Sequence, residues 1–167
     1  AEANSNQDSY LYDLMATDVQ GSAAKLAPDG KFAWSAMTAD GSYALTNTVN
    51  PSSSNPAIAG GSNNTAVSSF WQFSATPVMQ PLNGLPATLS AGYPGYSPDD
   101  KKVAFVDATG SNKDLKNRPI QVADYDATTR AFSNLTTLYT PPTDGRAGYP
   151  AFLPDNSAIV FEKQVRS

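Results

Sequence analysis

The chain carries 15 Asp and Glu side chains but no histidine and no cysteine, and those two zeros close most routes to chemistry. A Ser-His-Asp triad cannot be completed without an imidazole. Thiolate catalysis, disulfides and the usual Cys/His zinc sites need side chains that are missing. No Gly-x-Ser-x-Gly nucleophile turn and no phosphate-cradling glycine loop occurs. Asp40, Asp99 and Asp155 resemble catalytic carboxylates at a glance, but they recur at one place in a repeat, where Asp is a turn former. Asp124 and Asp126 suggest a calcium loop, yet the distal Glu of such a loop is absent. The expectation is a chain with no catalytic residue, no metal site and no cofactor of its own.

What remains is recognition. Trp34, Tyr93 and Tyr149 hold equivalent places in the repeat described below. Aromatic rings stacked at one opening suit a peptide or a sugar; the competing reading is plain packing between sheets. Arg146, just before Tyr149, suits an acidic ligand group or is a solvated charge. These four residues are the candidate ligand-binding set. Asn63-Asn64-Thr65 and Asn134-Leu135-Thr136 match a glycosylation sequon, which matters only in a eukaryotic secretory host.

Charge narrows the partners. The formal net charge is −4 and the isoelectric point about 4.6, so nucleic-acid phosphates would be repelled. Lys101-Lys102 and Lys113/Lys116 are isolated and form no basic patch. No apolar run approaches the roughly 18 residues that span a bilayer. Charged residues make up only 16% of the chain, below the roughly 25% of an average domain. Asn, Ser, Thr, Gly and Pro fill the difference, as in loop-rich β proteins.

The elements that must position these residues come from an internal repeat. Ala91-Gly92-Tyr93-Pro94-Gly95-Tyr96-Ser97-Pro98-Asp99-Asp100 leads into Lys101-Lys102-Val103-Ala104-Phe105. Ala147-Gly148-Tyr149-Pro150-Ala151-Phe152-Leu153-Pro154-Asp155-Asn156 leads into Ser157-Ala158-Ile159-Val160-Phe161 in the same way. A weaker copy runs from Ala33 through Asp40-Gly41 to Leu45. Each copy reads as strand, tight turn, strand, with Asp-Asp, Asp-Asn and Asp-Gly at the turns. Pro98 and Pro154 fall where a strand stops and no ladder donor is needed.

A third strand interleaves with this pattern at Tyr10 to Asp18, Ser69 to Ser74 and Pro119 to Asp126. A weaker fourth follows at Ala23 to Leu26, Val78 to Leu82 and Asn134 to Tyr139. The order is third and fourth strand, two full sets of four, then first and second strand. Four antiparallel strands per repeat is the β-propeller pattern. The fold class is therefore all-β, with about three blades' worth of propeller in a single segment, 1–167. The blade parts are approximately 9–27, 32–82, 92–139 and 147–163. The long stretch 49–67, rich in Ser, Asn, Gly and Pro, is expected to be a mobile surface loop on the ligand face, with 108–118 as a second long loop.

Tyr93-Pro94-Gly95-Tyr96-Ser97-Pro98-Asp99-Asp100-Lys101-Lys102-Val103-Ala104-Phe105 resembles the bacterial TolB-type (WD40-like) propeller repeat, an aromatic-Ser-Pro-Asp-Gly-Lys stretch followed by an apolar strand ending in Phe. The 147–161 copy has Leu153 for Ser and Asn156 for Gly; the 33–45 copy lacks the Pro. The resemblance implies a propeller and no single activity. Three blades are fewer than the about four to eight of a closed ring, and an open arc leaves two exposed sheet edges. The expectation is a non-catalytic binding or scaffold segment of a periplasmic or extracellular bacterial protein, completed by another polypeptide segment. A protein, peptide or glycan is the expected ligand class. The alternative is the propeller part of a peptidase or other hydrolase whose catalytic residues lie on another chain or segment.

Overall fold

A computed structural model describes residues 10–11, 17–18, 24–25, 32–48, 67–74, 77–110 and 116–164. Among them every regular element is a β-strand. The expected loop 49–67 lies outside the described residues except for Val67, and so does 111–115 of the second long loop. No helix among the described residues is long and apolar enough to cross a membrane.

Twelve strands follow one another: β1 (Tyr10–Leu11), β2 (Ala24–Lys25), β3 (Phe32–Met37), β4 (Tyr43–Thr48), β5 (Val67–Gln72), β6 (Val78–Gln80), β7 (Ala91–Tyr96), β8 (Lys102–Asp107), β9 (Ile120–Asp126), β10 (Ala131–Tyr139), β11 (Arg146–Phe152) and β12 (Ile159–Gln164). They form a first sheet in the order β3-β4-β5-β6, a second in the order β7-β8-β9-β10, a third of β11-β12, and a separate pair β1-β2. All pairings are antiparallel, and each strand in a sheet neighbours the next in sequence.

The same turn recurs three times between the first and second strand of a sheet. The backbone N–H of Thr38, Ser97 and Leu153 donates across it to Tyr43, Lys102 and Ala158, each at 2.9 Å. Inside it, Gly41, Asp100 and Asn156 donate back to Thr38, Ser97 and Leu153 at 2.9 to 3.0 Å. The donating residues sit in the left-handed region, with φ of 72°, 53° and 62°. Gly, Asp and Asn are the residues that tolerate it. Asp40, Asp99 and Asp155 then cap the turn: Asp40 accepts from the Thr38 hydroxyl at 2.7 Å, Asp99 from that of Ser97 at 2.7 Å, and Asp155 from that of Ser157 at 2.7 Å.

The sheets stack through apolar strands. β8 is buried over four consecutive residues, Val103 to Val106, because both its faces meet neighbouring sheets. Val103 and Phe105 join a core with Leu45 and Phe70 of the first sheet. Val106 and Ile120 join Ala147 of the third sheet instead. Phe70 anchors the first contact, edge-on to Phe132 at 5.4 Å and to Tyr125 at 5.9 Å, and stacked on Tyr43 at 5.4 Å. One hydrogen bond ties turn to turn across sheets: the Ala39 N–H donates to both carboxylate oxygens of Asp100 at 2.9 Å. The corresponding positions of the other two turns are Pro98 and Pro154, which have no N–H to give.

Candidate functional site

The first strands of the three sheets, β3, β7 and β11, each carry a bulge, at the same place in β7 and β11 and one residue further from the turn in β3. The register slips between Phe32 and Ser35, between Gly92 and Gly95, and between Gly148 and Ala151. A bulge sets two residues of one strand against one of its partner and re-aims a side chain. The residues so placed are Trp34, Tyr93 and Tyr149. Tyr93 and Tyr149 have φ of 48° and 53°, a conformation that costs a bulky residue about 1–3 kcal/mol. Pro94 and Pro150 follow them and restrict the backbone further.

The two bulges bring Tyr93 and Tyr149 together from 56 residues apart. Their ring centroids are 4.2 Å apart with planes inclined at 36°. The Tyr149 hydroxyl donates to that of Tyr93 over a long 3.4 Å. Tyr93 is half-buried and rests on the core formed by Val106, Ile120 and Ala147; burial pushes its hydroxyl pKa up, and the neighbouring Tyr149 adds to the shift. Tyr149 lies on top, 56% exposed. Small residues permit this approach. A Cβ on Gly148 would stand 4.0 Å from the Tyr93 ring, and one on Gly95 would press within 3.2 Å of the Pro150 carbonyl oxygen. The result is a paired aromatic shelf with a half-buried lower ring and an open upper one.

Trp34 is the second residue of the bulge in β3, where Tyr93 and Tyr149 are the first of theirs, and its side chain is outside the described residues. Arg146 opens β11, half-buried, with its backbone bridged to Lys116 and partnered with Gln164 across the sheet. Of the four candidate residues, the structure joins Tyr93 and Tyr149 directly.

A groove of about 430 Å³ continues from the residues that follow the tyrosines. Pro94 and Gly95 of β7, Pro150 and Ala151 of β11, Met37 and Tyr96 line it. It runs toward the tight turns, a place the sequence reading did not single out. The signal was present in the small residues of Tyr-Pro-Gly and Tyr-Pro-Ala, but only sheet-to-sheet contact makes a groove of them. Asp100 lines its end with its carboxylate held by the Ala39 N–H. No cluster of three acidic side chains suited to a metal ion occurs among the described residues.

Chemically, the arrangement offers a flat π surface beside a shallow, mostly apolar trough. It has no nucleophile–base pair on display. No family model matches the chain, and no curated protein matches it either.

Proposed function

We propose that this chain is a non-catalytic binding segment of a bacterial β-propeller built from TolB-like repeats. The observation that carries the reading is the Tyr93–Tyr149 shelf. Two bulky residues adopt strained backbone at equivalent bulges, and the upper ring remains open to solvent. Backbone strain held by a bulky residue clusters at binding and active sites. A stacked pair with hydroxyl edges suits the apolar face of a sugar ring or a side chain of an extended peptide.

Two four-stranded sheets in sequential order, packed side by side through their first strands, support the propeller reading. The low charge content and the repeat type favour a periplasmic or extracellular setting. The first-to-second-strand turns fit the scaffold part, since their Asp residues are engaged with their own turns.

Glycan and peptide arrays test the binding role. The natural chain is expected to retain a defined subset of probes, and Tyr149→Ala to weaken those by about tenfold, the upper range of a stacking contact. Because Tyr149 is exposed, its removal leaves the core in place. Unchanged binding by Tyr149→Ala would assign the shelf to packing alone.

A further inference from the structure

The groove beside the tyrosine shelf discriminates between ligand classes. Met37, Pro94, Gly95, Pro150, Ala151 and Phe152 give it an apolar lining. A sugar laid along it would bring its hydroxyls to a wall with few polar partners to offer. Ser97 also lines it, but its hydroxyl already donates to Asp99 at 2.7 Å and accepts the Lys102 N–H at 2.9 Å. Hydroxyls buried without partners are costly, whereas the apolar side chains of a peptide gain from the same surface.

The groove ends on a charge. Asp100 is the one charged side chain among the described residues that line it, and it is half-buried. The nearby lysines pair elsewhere: Lys101 with Asp99 at 3.6 Å, Lys102 with Asp124, and Lys116 with Asp144 at 3.9 Å. No cation among the described residues pairs with Asp100. The turn itself does not require the charge. Gly41 and Asn156 hold the same left-handed position in the other two turns. The Ala39 N–H that reaches the Asp100 carboxylate is a single donor to a group with about four lone-pair sites. The chain's net charge of −4 favours a cationic partner as well.

Spacing links the two features. The turn begins at Ser97, four residues beyond Tyr93, so at most about 13 Å of strand separates shelf and turn. An extended peptide covers that length in about four residues.

We propose that shelf and groove together take an extended peptide, with an apolar ring stacked on Tyr149 and an arginine or lysine about four residues away set against Asp100. The inference rests on the binding role proposed for the shelf, and it adds the class and charge of the ligand.

The probes are capped peptides carrying one tryptophan and one arginine at varied spacing. Each is paired with a twin in which neutral citrulline replaces the arginine, and binding to the chain is followed by fluorescence anisotropy. At a spacing of about four residues the arginine peptide is expected to bind about tenfold tighter than its twin, the scale of a charge-assisted hydrogen bond. Added salt should shrink that lead. Asp100→Asn keeps a residue that tolerates the left-handed backbone, as Asn156 does in the third turn, and keeps an oxygen for Ala39. It is expected to erase the lead while binding the citrulline twin as the natural chain does, which also reports an intact fold. Tyr149→Ala should weaken both twins alike. Equal binding of the twins by the natural chain would overturn the inference without recourse to a variant. So would a lead that survives Asp100→Asn. A chain that retains glycans through Tyr149 and none of these peptides overturns the peptide class and leaves the binding role standing. A chain that retains neither peptide nor glycan removes the binding role, and this inference with it.

Discussion

Gly84 shows how much a single residue decides. It turns with φ of 86°, and a Cβ there would fall 1.7 Å from the carbonyl oxygen of Phe132. The adjacent Asn83 carbonyl accepts the Phe132 N–H at 2.9 Å. The loop from β6 to β7 is thereby fastened to the start of β10, and neither side of the contact can retreat without breaking that bond. Gly84→Ala is expected to cost about 3 kcal/mol, combining left-handed strain with a backbone clash. A lowered midpoint in urea unfolding, at unchanged slope, checks it. Tyr93 and Tyr149 are the opposite case. Their left-handed φ values carry a similar local penalty, yet both positions keep a large ring. At Tyr93 the ring repays part of the strain by resting on Val106 and Ile120. At Tyr149 the ring is open to solvent, and the binding role proposed for it accounts for the retained strain.

At the scale of the element, the repeated turn predicts a pH profile. Three capping carboxylates are held below their ordinary value of 3.8. Asp40 is lowered first by the Ser42 N–H, Asp99 by the Ser97 hydroxyl and Asp155 by the Ser157 hydroxyl. Asp124 is lowered by Lys102 and Asp126 by Thr129. A depressed folded value means the folded state binds fewer protons than the unfolded chain near pH 3.8. The stabilisation is therefore complete above that pH and lost as pH falls through the folded values. At the other end, burial pushes Tyr125 up to about 12 from 10.0, and Tyr93 and Tyr96 rise in the same direction for the same reason. Raised values give stability that is full below pH 10 and lost as pH rises through them. With no histidine in the chain, unfolding free energy should form a plateau between about pH 5 and 9 and fall on both flanks. Urea unfolding across pH 2.5 to 11 measures it, and a step near pH 6.5 would contradict it.

For the whole molecule, the join between sheets is the main structural question. Phe70 is fully buried and touches Tyr43 in its own sheet and Tyr125 and Phe132 in the next. Phe70→Ala should cost about 3–5 kcal/mol through lost burial and the cavity left behind. Its signature is more specific than the loss itself. Amide exchange should quicken in β4 and β5 while β8 and β9, still packed against Ala147 through Val106 and Ile120, change less. Uniform acceleration in all four strands would mean that the sheets unfold as one unit.

Period-two alternation and turn chemistry made the strands legible. Asp-Gly, Asp-Asp and Asp-Asn announced three turns whose last residue needs a left-handed backbone, and those turns are found at Gly41, Asp100 and Asn156. The recurrence of the Tyr-Pro dipeptide also placed Tyr93 and Tyr149 at equivalent positions. Both signals are local, and a chain segment carries them wherever it sits. The bulges are different. Whether two residues face one depends on the partner strand, so the strained φ of the tyrosines is invisible in either strand alone. The 4.2 Å approach of their rings, the groove over Pro94 and Pro150 and the bond from Ala39 to Asp100, 61 residues away, depend on how sheets meet. That geometry arises from Phe70, Phe105 and Ile120 filling the space between sheets, and apolar burial has no direction until tertiary packing supplies one.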